Sequence, residues 1–83
     1  MSVRSLYTKF GNTAKEQVVV SDGDGSTFYS YGTKIARKGV DGVVTLWPSW
    51  NYSQTTNFYR GQFLGEGVAD TRKRIASGEY VMA

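Results

Sequence analysis

What this chain can fold into is set first by where its aromatic residues stand. Nine of the twelve fall between Phe28 and Phe63, in 83 residues that contain neither cysteine nor histidine. A chain of this length buries only about 60–65% of the surface it exposes when unfolded, so its stability margin is thin. Without cysteine there is no disulfide to help, and a structural zinc would lack its usual thiolate and imidazole ligands. The core must come from large side chains, each buried aromatic removing roughly 150–250 Å² from water. Self-association is the other remedy open to so small a core, so a homo-oligomer stays among the expectations.

Charge narrows the class less. Ten basic and seven acidic residues leave a formal charge of +3, too little to announce a nucleic-acid binder by itself. Six of the ten basic residues fall into two groups, Lys34, Arg37 and Lys38, then Arg72, Lys73 and Arg74. No apolar run approaches the ~20 residues that span a bilayer. The N-terminal Met1-Ser2-Val3-Arg4-Ser5 lacks the apolar stretch of a secretory signal. A cytoplasmic protein is expected.

The local signals point to an α+β fold in one domain over residues 1–83. Val3 to Phe10 alternates loosely as a first strand, Gly11-Asn12 turns, and Gln17 to Val20 makes a second strand. Asp22-Gly23-Asp24-Gly25 is a hairpin turn. Thr27 to Lys38 reads as strand on both sides of Gly32, where a glycine marks a bulge or a close packing contact. Gly39 to Gly42 turns into Val43–Trp47, which Pro48 ends, and Trp50-Asn51-Tyr52 suggests another short strand. Ser53, Thr55 and Thr56 are N-cap candidates, Thr55 or Thr56 preferred, for a helix over Asn57 to Leu64. A better-defined helix over Val68 to Ser77 carries Asp70 early and Gly78 just past its end. Glu79 to Ala83 reads as a terminal strand or a tail. The expectation is a small antiparallel sheet of three to five strands with one or two short helices, the clearer near the C-terminus.

Chemistry-bearing motifs are few. Asp22-x-Asp24-x-Ser26 opens like a calcium loop, but Thr27 and Thr33 stand where glycine and a bidentate glutamate are needed. Gly23-x-Gly25 and Gly65-x-Gly67 lack the third glycine or lysine of a phosphate loop. No base is placed beside a serine or threonine, and the seven carboxylates show no paired arrangement. A protein that is not an enzyme and uses no cofactor or metal is expected.

The aromatics carry the alternatives. Nine rings are too many for the inside of so small a sheet, although each taken singly is more often core than surface. Tyr29 and Tyr31, alternating along one strand, are expected on one face with Lys34, Arg37 or Lys38 nearby. Aromatic rings interleaved with cations stack bases at roughly 1–3 kcal/mol each. The same residue types dominate protein interfaces. The expected partner-binding residues are Tyr29, Tyr31, Trp50, Tyr52, Tyr59 and Arg60, with Lys34, Arg37, Lys38, Arg72, Lys73 and Arg74 as a basic patch. A basic triplet such as Arg72-Lys73-Arg74 is also commonly just a solvated helix face.

Tyr29-Ser30-Tyr31-Gly32-Thr33-x-Ile35-Ala36, then Tyr52-Ser53-x-Thr55-Thr56 and Gln62-Phe63-Leu64, resembles a group of short bacteriophage-borne proteins of unknown function over residues 27–65. Those relatives usually carry a lysine or histidine soon after the threonines, where Asn57-Phe58-Tyr59-Arg60 stands here. The resemblance implies a phage accessory protein. The resulting expectation is a non-enzymatic binding protein that inhibits or modulates a bacterial host or defence protein by occupying its surface. Its partner would be a bacterial protein or nucleoprotein complex. A single-stranded nucleic-acid binder and a small virion structural or assembly subunit are the alternatives.

Overall fold

A computed structural model describes residues 2–83. The elements in chain order are β1 (Ser2–Tyr7), β2 (Thr13–Asp22), β3 (Gly25–Ser30), β4 (Thr33–Gly39) and β5 (Val44–Leu46). A 3₁₀ turn (Pro48–Asn51), α1 (Gln54–Leu64), α2 (Val68–Ala76) and β6 (Tyr80–Met82) follow. The strands form one six-stranded sheet in sequence order. The first five pair antiparallel, and β6 returns through the two helices to lie parallel to β5. The fold is α+β as expected, but the sheet has more strands than three to five and is mixed. The count rises because Thr27 to Lys38 divides into β3 and β4, and the Tyr80–Met82 segment, expected as strand or tail, is a strand that lies parallel because a helical crossover delivers it to the β5 edge.

The Asp-Gly stretch makes the expected hairpin, with Asp22 paired to Gly25 across the two residues Gly23 and Asp24. Asp22 Oδ1 accepts from the Asp24 backbone N–H at 2.8 Å. That bond, more than the neighbouring Arg37, holds its carboxyl below the usual range. Gly25 is the glycine this hairpin cannot lose, because its φ is +149° and a Cβ would meet Gly39 Cα at 2.8 Å and Lys38 O still closer.

Thr27 to Lys38 is two strands rather than one with a bulge at Gly32. Tyr31 and Gly32 form a two-residue turn between β3 and β4, with φ of +52° and +78°. Gly32 is required by its backbone angle, since nothing lies within 4 Å of where its Cβ would be. The bulge sits between Phe28 and Tyr29, opposite Ile35. Trp50 and Asn51 belong to the 3₁₀ turn rather than to a strand, Pro48 opening that turn as proline does at a helix start.

Cross-strand register explains the core. Val19, Phe28, Ala36 and Leu46 are successive partners across β2 to β5, so they share one face, and all four are buried. α1 lays Phe63 on that face, its ring centroid 6.0 Å from that of Phe28. Trp50, Tyr59, Leu64, Ile75 and Tyr80 pack around this cluster. The opposite register row, Val20, Thr27, Arg37 and Thr45, lies on the face away from the helices. A least extent of 19 Å, against 35 and 29 Å along the other axes, fits a sheet covered by one helical layer.

Candidate functional site

One end of the molecule gathers three segments: the β1–β2 loop, the Tyr31–Gly32 turn and the N-terminal half of α1. Ser53 caps α1, its Oγ accepting from the Thr56 N–H at 3.1 Å, and Gly65 closes it in the left-handed conformation. The side-chain amide of Gln62 bonds the Tyr7 backbone on both sides, its Oε1 accepting from the Tyr7 N–H at 3.1 Å and its Nε2 donating to Tyr7 O. That clamp fixes the β1–β2 loop against α1. Within the loop, Thr8 Oγ1 accepts from the N–H groups of Phe10 and Asn12 at 3.3 and 3.2 Å.

A groove of about 500 Å³ runs between this loop and α1, walled by Phe10, Phe58 and Tyr59 with Thr8, Gln54 and Thr55 between them. A smaller hollow of about 320 Å³ continues it along β2, sharing Thr8, Thr55 and Tyr59. That hollow follows from the β1–β2 register, which jumps from Ser5–Val18 to Leu6–Ala14 and leaves Lys15, Glu16 and Gln17 without β1 partners. Its far wall is Tyr31, which also borders a second recess of about 470 Å³. There Ser30, Thr33, Ser49, Tyr52 and Thr56 surround Ile35. Grooves and recess form one crevice rimmed by exposed rings, with Phe10 and Tyr52 each 80% exposed and Tyr31 67%.

Tyr31 is held in that rim against its own preference. Left-handed backbone is uncommon for a bulky residue and costs of order 1–2 kcal/mol. Its N–H donates to Glu16 O at 2.8 Å, which ties the turn to the irregular segment of β2.

Of the residues expected to bind a partner, Tyr31, Tyr52 and Tyr59 come together on this crevice. Tyr29 does not join them, since it pairs with Val18 and Lys34 on the open sheet face while Tyr31 has left the strand for the turn. Trp50 is half-buried under the helices. Arg60, expected on the surface, is 0% exposed. It lies one helical turn from the buried Thr56 on one side and from the cluster residue Phe63 on the other, all on the inner side of α1, which aims it inward.

The basic residues do not assemble into a patch. Lys34 stands over the Trp47 ring, and Arg37 bonds Thr27 Oγ1 at 2.8 Å and Asp22 at 3.3 Å. Lys38 lies over Phe63 and donates to the Phe63 carbonyl at 3.2 Å, near the negative end of α1. Arg72 covers Trp50, Arg74 pairs with Glu66 and Glu79, and Lys73 is exposed between them. Sequence reasoning missed Phe10 and Phe58 as rim residues and Ser30, Thr33, Ser49 and Thr56 as recess lining. The Gly11-Asn12 turn beside Phe10 was the available signal, because a ring next to a tight turn has little to pack against.

Behind the crevice lies a charged cluster. Arg60 Nη1 donates to Trp50 O at 2.6 Å and to Asn57 Oδ1, while Nε and Nη2 have no partner. Its guanidinium sits 5.1 Å from the Trp50 ring centre and that of Arg72 5.5 Å, so one indole faces two cations. Burial lowers the Arg60 pKa, and the charges of Glu66 and Tyr80 act against that shift. Glu66 accepts from Thr71 Oγ1 at 2.8 Å and from the Tyr80 hydroxyl, and its carboxylate lies 3.2 Å from Arg74 Nε. Burial first, and then the bond to Glu66, pushes the Tyr80 pKa up to about 12. These contacts knit α2 and β6 to the core.

No helix among the described residues is long and apolar enough to cross a membrane. Fold and surface together define a small α+β protein with a mixed sheet, helices on one face and an aromatic-rimmed crevice at one end. The chain belongs to a family of unknown function, DUF8033, whose model matches residues 1–80. No curated protein and no solved structure matches it.

Proposed function

We propose that this is a non-enzymatic binding protein that seats part of a bacterial protein in its aromatic crevice and acts by occupying that surface. The observation that carries the reading is the clustering of Phe10, Tyr31, Tyr52 and Phe58, all exposed, around continuous grooves at one end of the molecule. Rings held in water around a concavity gain most when a partner covers them, and aromatic residues are enriched among interface hot spots. The resemblance of residues 27–65 to short phage-borne proteins favours a phage accessory role, with a host or defence protein as the partner. A single-stranded nucleic-acid role has less support, because Arg37 and Arg74 are held by carboxylates and Lys34 and Arg72 lie over aromatic rings away from the crevice, which leaves Lys9, over the Phe10 ring, and Lys15 to meet a phosphate there. An assembly subunit would elute as a stable oligomer.

The test compares three baits in bacterial lysate: the unaltered protein, the groove double variant Phe10→Ser/Phe58→Ser, and the open-face double variant Lys34→Ala/Arg37→Ala. A partner kept by the first and third baits and lost by the groove variant supports the reading. A partner that the groove variant retains overturns it. An aromatic interface also holds on when salt is raised, whereas contacts to phosphates weaken steeply.

A further inference from the structure

We propose that the recess beneath Tyr31 and Tyr52 is a binding site for an uncharged, polyhydroxylated ring, a monosaccharide unit. This goes beyond the docking role proposed above, because Phe10 and Phe58, which test that role, do not line the recess.

Six of its seven lining residues carry hydroxyls: Ser30, Tyr31, Thr33, Ser49, Tyr52 and Thr56. No charged side chain among the described residues lines it. Hydroxyls both donate and accept, so such a wall matches a ligand whose own groups do the same and offers nothing to balance a full charge. The recess of about 470 Å³ has room for one or two rings.

Two observations separate this recess from an ordinary polar dent. Ser30 is 4% exposed and its Oγ has no hydrogen-bond partner in the protein, although it lines the recess. Its cross-strand neighbour Gln17, 2% exposed, likewise has an unpaired Oε1. Buried polar atoms are nearly always satisfied, and leaving two adjacent ones unpaired costs stability that a small core can ill spare. Tyr31 and Tyr52, both largely exposed, border the recess. A sugar ring has an apolar C–H face suited to a tyrosine and a hydroxyl periphery suited to Ser30, Thr33 and Thr56. A flat base would use the rings but leave much of the hydroxyl wall unmatched.

The test uses ¹⁵N-labelled protein titrated with millimolar glucose, galactose, mannose and N-acetylglucosamine, with adenosine and N-acetyl-alanine amide as the other arms. Expected are saturable amide shifts centred on Ser30, Thr33 and Thr56 with at least one sugar, weakened about tenfold in Ser30→Ala and in Tyr52→Ala. Thermal stability of Ser30→Ala without ligand is expected to be unchanged or raised, since an unpaired hydroxyl is removed. No shift with any sugar overturns the proposal. So does a response confined to adenosine or to the peptide analogue, or sugar binding that both variants retain. A destabilised Ser30→Ala also counts against it, because the hydroxyl would then have an internal partner.

Discussion

At the scale of single residues, Arg60 and Tyr80 show how far burial has shaped this small core. Arg60 contributes aliphatic volume, a bond to the Trp50 carbonyl and a cation against an indole, while two of its donors go unpaired. Arg60→Ala removes the packing as well as the charge and should cost about 3 kcal/mol or more. Arg60→Met keeps the volume and discards the buried charge, so about 1 kcal/mol or less is expected. Urea denaturation of the two variants checks the order, and equal losses would contradict this account of the site. Tyr80 predicts a pH dependence. Its hydroxyl ionises near 10.0 when unfolded and near 12 in the fold, so the unfolded chain gives up its proton first. The resulting stabilisation is complete below pH 10 and is lost as pH rises towards about 12. Thermal melts across that window should fall more steeply for the unaltered protein than for Tyr80→Phe.

At the scale of elements, caps and turns decide where each strand and helix stops. Ser53, rather than Thr55 or Thr56, caps α1. Ser53→Ala should therefore cost about 1 kcal/mol and Thr55→Ala much less. The two glycines of the β2–β3 hairpin should separate as clearly. Gly25→Ala forces a Cβ into the β4 backbone at a positive φ and should cost about 2 kcal/mol or more, whereas Gly23→Ala meets nothing within 4 Å and should stay within about 0.5 kcal/mol. Denaturant midpoints of the four variants settle both pairs. The residue types expected at these turns were legible from Asp-Gly and Ser-x-Thr-Thr. Which of three hydroxyls caps α1 was not, because that depends on the angle at which the chain leaves the 3₁₀ turn.

For the whole molecule, a charge of +3 is a poor guide to partners. Arg37 and Arg74 face carboxylates, and Lys34, Lys38 and Arg72 lie over aromatic rings. Lys9 and Lys15 border the crevice and Lys73 is exposed on α2, so the remaining positive charge is scattered rather than gathered along one phosphate track. Single-stranded oligonucleotides are therefore expected to leave the fluorescence of Trp47 and Trp50 unchanged even at low salt. Salt-sensitive quenching with micromolar affinity would reverse the ranking between a protein partner and a nucleic acid.

Strand-forming runs at Gln17–Val20, on both sides of Gly32 within Thr27–Lys38 and at Val43–Trp47, the hairpin at Asp22–Gly25 and a helix over Val68–Ser77 were all readable in the sequence, and strands or helix stand at each, β5 and α2 somewhat shorter than expected. Local rules on backbone angle and side-chain shape fix each of them over a few residues. The same rules could show that nine aromatics were crowded into one stretch, but not which would face water. That outcome belonged to tertiary structure. The Tyr31–Gly32 turn lifted one tyrosine out of its strand, and the inner side of α1 drew Arg60 into the core. The jump in β1–β2 register opened a hollow beside Tyr59, and the helical crossover decided that the terminal segment is a strand parallel to β5. Each of these depends on contacts between residues distant in sequence, where alternation along one strand or one helix carries no information.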